Sequence, residues 1–208
     1  MSRFFNTLAR TPQLHPFKFG VGLSAVKTLA ADTLAQKYLE GRETLDRRRS
    51  LVFFAWGAIY LGAVQYGVYV VLFARHLFPS ASLFLQKPLR ERLADRAGQA
   101  VVLKQVALDQ FVHHPFMLFP CFYTVKEFIE QGTLGAEQLR SALGKYAANL
   151  REDCIVCWRT WVPAFLVNFS LCPLWLRVPF VATVSMGFMT YFSFLRGPPQ
   201  IQESSSYD

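Results

Sequence analysis

The stretch SLVFFAWGAIYLGAVQYGVYVVLFA, residues 50–74, contains no charged side chain and is rich in Phe, Tyr, Val, Leu and Gly. Arg49 and Arg75 flank it. A helix of about 20 apolar residues crosses a hydrocarbon core of roughly 30 Å, so this stretch is long enough to span a membrane with some tilt. Because basic side chains at its ends can reach the lipid headgroups, we predict a transmembrane helix here.

Three further stretches have few charges or none. Asp109 is the only formal charge between Lys104 and Lys126, and the segments 160–176 and 178–195 have none. One such segment could be a buried helix of a soluble protein, but four in 208 residues, each between Lys or Arg residues, are hard to fit into a soluble fold. The sequence therefore predicts an all-α, polytopic membrane helical bundle with about four transmembrane helices plus amphipathic surface helices.

The composition agrees with a lipid bilayer as the main partner. Apolar residues make up 52% of the chain and charged residues 17%, whereas soluble domains carry roughly 25% charged residues. The net charge of +8 raises the alternative of nucleic acid. Basic residues that bind nucleic acid form a stripe or patch, and here they stand at the ends of apolar runs, so we predict no nucleic-acid partner.

The expected elements follow from these runs and their boundaries. Helices are expected over about 17–39, 50–74, 97–129, 137–150 (amphipathic), 157–176 and a last run that ends at Arg196. Pro115 and Pro120 should kink the third of these, and Arg177 with Pro179 could mark a turn or a broken helix. We predict one membrane-embedded domain, 1–196, and a disordered tail, 197–208.

Polar residues recur at helical spacing in two of the expected helices. In the first, Ser24, Thr28, Asp32 and Gln36 form a stripe, and in the third Gln105, Asp109 and His113 do the same. Ionisable groups in a span face the protein interior or a water-filled cavity. The two stripes could converge on one aqueous pathway, or they could bond to each other and hold helices together. The pore-lining candidates are Asp32, Gln36, Gln105, Asp109 and His113.

Few residues point to chemistry. Cys154 and Cys157 form a C-x-x-C pair, which could carry redox chemistry or could simply pack. His113 and His114 have no second metal-ligand cluster nearby in sequence, and motifs for phosphate loops or serine nucleophiles are absent. We therefore predict no enzyme activity, no cofactor and no metal. Asp109 and His113, one helical turn apart, could form a pH-sensitive pair.

Three segments resemble one known family. They are ADTLAQ (31–36), KQVALDQFVHHP (104–115) and a long segment with WRTW (158–161), NF (168–169), CPLWLR (172–177) and YFS (191–193). The chain resembles the family of the peroxisomal membrane protein of twenty-two kilodaltons and its inner-mitochondrial-membrane relatives, often called Mpv-seventeen. It departs from the family pattern at Val162, where Pro is usual, and at Phe165, where Gln is usual.

The resemblance implies roughly four spans, a mitochondrial inner-membrane or peroxisomal location, and a weakly selective channel for small solutes. The family-motif residues, to which we assign helix packing, are Gln110, Pro115, Trp158, Trp161, Asn168, Phe169, Pro173 and Arg177. The chain has no acid before Asp32, as is typical of mitochondrial targeting, so we favour the mitochondrial inner membrane over the peroxisomal membrane.

Three hypotheses for the function remain at this point. The first is a weakly selective channel for small solutes or ions. The second is a non-conducting scaffold that binds lipid or partner proteins, with the amphipathic helix 137–150 as its binding element. The third, a redox-active membrane protein, depends on Cys154 and Cys157. The sequence also allows a homo-oligomer.

Overall fold

The computed structural model describes residues 14–133, 135–170 and 174–196, with the side chains of all of these except 168–170 and 174–179. Seven helices, labelled α1 to α7, make up most of this part of the chain. Helix α1 comprises Pro16–Leu34 and the π-helical turn Ala35–Leu39; α2 comprises Arg47–Trp56 and the π-helical segments Gly57–Val64 and Gly67–Leu77; α3 is Pro79–Gln86; α4 is Leu89–Ala94; α5 comprises Arg96–Leu108, the π-helical segment Asp109–Leu118 and Phe119–Gln131; α6 is Ala136–Ser170; and α7 is Leu174–Arg196.

The all-α prediction is confirmed, and two predicted boundaries need correction. The amphipathic stretch 137–150 and the apolar stretch from 157 onward are one continuous helix, α6, and not two elements. Arg177 does not lie at a turn, since the backbone is helical from Leu174 onward. Apolar periodicity cannot show whether an amphipathic stretch and the apolar stretch that follows it belong to one helix, because both have the same repeat. The predicted tail, 197–208, lies outside the described residues.

Helix α2 has the length and composition of a membrane span. Within the described residues it is the one helix that meets both criteria, and only 28% of its most apolar window is buried inside the protein. Large apolar side chains are also exposed on the other long helices, for example Leu23, Phe116, Leu166 and Phe194. Exposed apolar surface of this extent is unusual for a soluble monomer. It fits a lipid-facing exterior, and the number of spans stays a prediction.

Close contact between α1 and α2 depends on small residues. A Cβ atom added at Gly57 would lie 2.0 Å from Thr28 Oγ1 and 2.5 Å from the Ser24 carbonyl oxygen. A Cβ atom at Gly62 would lie 2.6 Å from the Cα atom of Val21. Small residues permit such approach of two helix backbones, which is a common basis of helix association in membranes.

An aromatic core holds α2, α5 and α7 together. Trp56 stacks on Tyr60 with ring centroids 4.4 Å apart and meets the edge of Phe122 at 5.4 Å. Phe122 in turn contacts Phe192 of α7 at 5.1 Å. Tilted and edge-on aromatic pairs add to the stabilisation that comes from buried area alone.

One end of the bundle collects the ends of four helices, α1, α2, α5 and α7, and the middle of α6. Asp46 caps the start of α2, accepting from the main-chain N–H groups of Arg48 and Arg49, and Gly132 ends α5 with a positive φ of 71°. The Arg48 side chain donates to the carbonyl of Ile129, near the end of α5. We call this the charged end of the bundle, because Asp32, Arg49, Glu127, Asp153 and Arg196 all lie there.

Candidate functional site

Two predicted pore-lining residues of α1 belong to a buried ion cluster at the charged end. Asp32 Oδ1 lies 2.9 Å from Arg49 Nε, and Arg49 Nη2 lies 2.6 Å from Glu40 Oε1. Asp32 also accepts hydrogen bonds from Gln36 Nε2 at 2.7 Å and Ser50 Oγ at 2.8 Å. Two carboxylates thus pair with one guanidinium, which compensates the buried charges.

This cluster joins three helices. Ser193 of α7 donates to Asp32 Oδ1 at 2.6 Å, and its main-chain carbonyl accepts from Arg49 Nη2 at 2.8 Å. Gln36 Oε1 accepts from the main-chain N–H of Asp46 at 2.6 Å. The polar atoms of Asp32 and Gln36 are therefore used in contacts between α1, α2 and α7. This agrees with the alternative in which the polar stripes hold the helices together.

A second ion cluster at the same end was missed by sequence reasoning. Asp153 of α6 is fully buried and accepts from Tyr123 at 2.8 Å and from Arg196 Nε at 2.7 Å. Arg196 also pairs with Glu152 at 2.7 Å. The partners come from three helices that are distant in sequence, so no local spacing signals the cluster.

The polar cluster of α5 lies on its π-helical segment, around Asp109. Asp109 Oδ1 accepts from the Tyr69 hydroxyl at 2.9 Å and from His113 Nδ1–H at 2.9 Å, and Oδ2 accepts from Gln110 Nε2 at 2.9 Å. Residues four and five positions apart both lie above one another in a π-helix, whose hydrogen bonds run from i to i+5. His114 consequently also reaches Asp109, through a 2.8 Å bond from Nδ1–H to its main-chain carbonyl.

His113 links Asp109 to α2. Its Nε2 lies 3.0 Å from the Tyr60 hydroxyl. A neutral imidazole with its proton on Nδ1 satisfies both contacts, since Nε2 then accepts from the Tyr60 O–H. Tyr60, His113, Asp109 and Tyr69 thus form one continuous chain of hydrogen bonds between α2 and α5.

Family-motif residues join α5 to α6. Gln110 is fully buried, and its main-chain carbonyl accepts from Trp158 Nε1 at 2.9 Å, while its side-chain oxygen lies 3.5 Å from Cys157 Sγ. The Pro115 carbonyl, inside the π-helical segment, accepts from the Tyr146 hydroxyl. At Pro115, where a kink was expected, the helix has π-helical hydrogen bonding. Such segments are a common cause of local distortion in a helix.

Three side chains have atoms that could ligate a metal ion. One ligand atom each from Asp109, His113 and His114 lies within 4.8 Å of the others, and all three residues are buried. Both Nδ1 atoms donate to Asp109, however, and His113 Nε2 contacts Tyr60. Hydrogen bonds account for this arrangement, so the absence of a metal site stays our prediction.

A cavity of about 510 Å³ lies between the long helices next to Asp109. All five long helices contribute to its wall. The polar residues on the wall are Lys27, Gln65, Tyr69, Gln105, Asp109, His114 and Ser185. The remaining wall is mostly aromatic and aliphatic, including Trp56, Phe119, Phe122, Trp161, Phe165 and Phe188.

The structure brings only part of the predicted pore lining to this cavity. Gln105 and Asp109 are on its wall, and His113 is bonded to Asp109 just behind it. Asp32 and Gln36 are not on the wall, and no hydrogen bond among the described residues joins their cluster to that of Asp109. The expectation that the two stripes converge on one pathway is therefore not met in the described structure. A stripe's spacing gives a helix face but not the neighbour of that face.

Of the other predicted residues, some make packing contacts and the rest lie outside the part of the chain that the structure describes. Trp161 lies on the cavity wall and contacts the rings of Phe165 and Phe188. Cys154 and Cys157 are both free and buried. Pro173 and the side chains of Asn168, Phe169 and Arg177 lie outside what the structure describes.

Lys27 is the cavity residue that sequence reasoning overlooked. The available signal was that Lys27 directly precedes Thr28, a member of the polar stripe, so its side chain lies beside that stripe on α1.

Comparison with known proteins gives relatives along almost the whole chain. Residues 132–193 match the model of the Mpv17 / PMP22 family. Protein SYM1 of Eremothecium gossypii is 31% identical over 206 residues, which cover 93% of this chain and 96% of the relative. Mitochondrial inner membrane protein Mpv17 of Xenopus laevis is 23% identical over 195 residues, 93% of this chain and 97% of the relative. No solved structure matches the chain.

Proposed function

Because the chain belongs to the Mpv17 / PMP22 family, we propose that it forms a weakly selective channel for small solutes or ions through the central cavity. Its expected location, the mitochondrial inner membrane, is confirmed by the comparison with its relatives. Conduction is our proposal, and the peroxisomal membrane stays an alternative prediction. We also keep the prediction that the protein is not an enzyme.

The observation that carries this proposal is a cavity between the five long helices with ionisable and amide side chains on its otherwise apolar wall. Ionisable residues at membrane depth line substrate or ion pathways in many proteins, because elsewhere their desolvation costs too much free energy. Here Asp109, Gln105 and Gln65 reach the cavity from α2 and α5, and Lys27 reaches it from α1. These groups can replace part of the hydration shell of a small solute.

The same residues account for weak selectivity. A carboxylate in a narrow pore favours cations. Asp109, however, already accepts from Tyr69, His113 and Gln110, and Lys27 adds a positive charge on the same cavity. Opposite charges on one wall leave little net preference for either sign.

The test is single-channel recording from purified protein in planar bilayers. Asp109→Asn removes the carboxylate while keeping its shape, and we expect the cation-to-anion permeability ratio to fall severalfold. Glu43→Gln makes the same chemical change in an exposed loop and should leave the ratio unchanged. Gln105→Leu keeps the Asp109 network and should lower conductance.

Two outcomes would contradict the proposal. Currents that neither Asp109→Asn nor Gln105→Leu alters would exclude this cavity as the pathway. Absence of current from protein that unfolds cooperatively and at the same temperature in each variant would reject conduction altogether.

A scaffold is the second candidate function, and a stripe on α6 favours it. Leu139, Leu143 and Leu150 are exposed at helical spacing, while Tyr146 of the same stretch packs against Phe119 and Tyr123 of α5. The exposed stripe can contact lipid or another protein. If the scaffold function holds, Leu139→Ser with Leu143→Ser should reduce the size of the native assembly without changing monomer stability.

The redox hypothesis has a simple test. Cys154 and Cys157 are free thiols in the buried contact between α5 and α6. Cys154→Ser with Cys157→Ser should leave conduction unchanged under oxidising and reducing conditions. A loss of redox response in the double variant would support the hypothesis.

A further inference from the structure

Lys27 is a cation without a carboxylate partner among the described residues. Its Nζ donates to Ser185 Oγ of α7 at 2.7 Å, and no ion pair of Lys27 with a described acidic residue is found. Two buried cations, Arg49 and Arg196, each bind two carboxylates. Desolvation of an unpaired ammonium is unfavourable, so a bound anion would stabilise it.

The acid across the cavity does not fill this role. Asp109 accepts hydrogen bonds from Tyr69, His113 and Gln110 within its own cluster. The hydrogen-bond partner of Lys27 is instead the neutral hydroxyl of Ser185. The part of the cavity at Lys27 and Ser185 therefore offers one positive charge and one hydroxyl, which together match a head group with one negative charge.

The wall next to this pair is apolar. Val181, Ala182, Phe188 and Met189 of α7 and Phe165 of α6 line the cavity together with Lys27 and Ser185. The volume, about 510 Å³, falls within the roughly 300–1,000 Å³ typical of pockets that enclose one small ligand. A site with one charged anchor and long aromatic walls suits a molecule with one charged end and an apolar body.

We propose that the cavity binds a single-chain amphiphile with a carboxylate head, of the class of long-chain fatty acids, and that Lys27 holds its carboxylate. The chain lies along the aromatic wall formed by α6 and α7. This inference goes beyond the channel function, since binding requires no conduction. A protein that is silent in bilayers would still bind the amphiphile, so the two proposals fail separately.

The experiment measures binding of cis-parinaric acid, a fluorescent C18 carboxylate, to the full chain in phosphatidylcholine nanodiscs. Trp56 and Trp161 line the cavity and can transfer energy to the bound probe, and empty nanodiscs give the background. Palmitate should displace the probe, and hexadecanol, which has nearly the same chain without the charge, should do so at least about tenfold less well. A hydrogen bond to a charged group corresponds to a factor of about 10–100 in affinity.

Variants assign the anchor. Lys27→Met should weaken binding of the probe about tenfold or more, and Lys27→Arg should restore most of the affinity. Lys37→Met, which removes an exposed lysine of the same helix, should leave binding unchanged.

Three results would overturn the inference. The first is equal displacement by palmitate and hexadecanol, which needs no variant and so does not depend on whether Lys27→Met folds. The second is unchanged affinity in a folded Lys27→Met protein. The third is tighter binding of lysophosphatidic acid than of palmitate, which would assign the site to a phosphate head group.

Discussion

At the scale of single residues, Arg49 shows how this chain keeps charges inside an apolar bundle. Its side chain is 4% exposed, and its partners Asp32 and Glu40 are 0% and 3% exposed. A buried charge is tolerated when it is paired and hydrogen-bonded, and removing one partner leaves the other charge uncompensated. Arg49 is therefore a structural residue whose loss affects two carboxylates at once.

Replacing Arg49 should destabilise the protein strongly. We expect Arg49→Met to lower the free energy of unfolding by about 3–5 kcal/mol, the range for breaking a buried ion pair. Arg47→Met removes an exposed arginine two positions earlier and should change the stability by less than about 0.5 kcal/mol. Thermal unfolding in one detergent compares the two, and equal stability of both variants would show that the cluster contributes little.

Glu40 makes the same cluster sensitive to acid. Burial by itself raises the pKa of Glu40, but hydrogen bonds and charges from Arg49 and Arg42 outweigh burial and hold that pKa below its ordinary value. A lowered carboxyl pKa stabilises the folded state fully above the unfolded pKa, about 4.3. That stabilisation is lost as pH falls through the folded pKa.

The prediction for Glu40→Gln follows from this sign. The variant should be less stable than the native protein at pH 6, and the difference should shrink as pH falls below about 4. Unfolding temperatures measured from pH 6 to pH 3 test it. A difference that stays constant over this range would mean that folding does not lower the pKa of Glu40.

At the scale of elements, the contact between α1 and α2 depends on the absence of a side chain at Gly57. The backbone of α1 occupies the space in which a Cβ atom would lie. Gly67 of the same helix has no atom within 4 Å of its would-be Cβ. The two glycines differ in packing only, which makes them a matched pair.

We expect Gly57→Ala to destabilise the protein by about 1–3 kcal/mol through overpacking. Gly67→Ala should be neutral or slightly stabilising, because alanine restricts the unfolded chain more than glycine does. Denaturation in mild detergent measures both variants. A Gly57→Ala protein as stable as Gly67→Ala would show that α1 can move away from α2 at little cost.

The π-helical segment Asp109–Leu118 is a second feature at this scale. It places His113 and His114 on the same side of the helix as Asp109. His113 bonds to the Asp109 carboxylate, and His114 bonds to the Asp109 main-chain carbonyl. An α-helix would bring only the residues three and four positions away to that face. The composition of the interior polar cluster thus depends on the backbone geometry of this one segment.

At the scale of the whole molecule, the contacts at the charged end predict which connections share a side of the membrane. The loop before α2 and the turn after α5 meet there through Arg48 and Ile129. Helix α2 runs for 31 residues, Arg47–Leu77, away from the charged end. Helix α3 therefore lies at the opposite end.

The topology can be read by cysteine labelling from one side of a sealed vesicle. In a background without native cysteines, Glu43→Cys and Thr133→Cys should react with an impermeant maleimide from the same side. Ser80→Cys in α3 should react only from the other side. Reaction of all three from one side would contradict a span by α2.

The sequence by itself determined the features that depend on local composition. Uncharged runs between basic residues predict membrane helices, and α2 and α5 match their expected ranges within a few residues, because the period and length of an apolar run are properties of one segment. The Asp109–His113 contact was also predictable, since residues four apart in a helix lie on one face.

Only the tertiary structure decided which helix faces meet. The stripe on α1 looked equivalent to the stripe on α5, but Asp32 and Gln36 pair with Arg49 and Ser193 and not with the cavity. The pairing of Asp153 with Arg196 and the position of Lys27 beside Ser185 likewise join residues far apart in the chain. The physical reason is that a helical repeat fixes the direction of a side chain relative to its own helix, whereas its neighbours depend on how all the helices pack together.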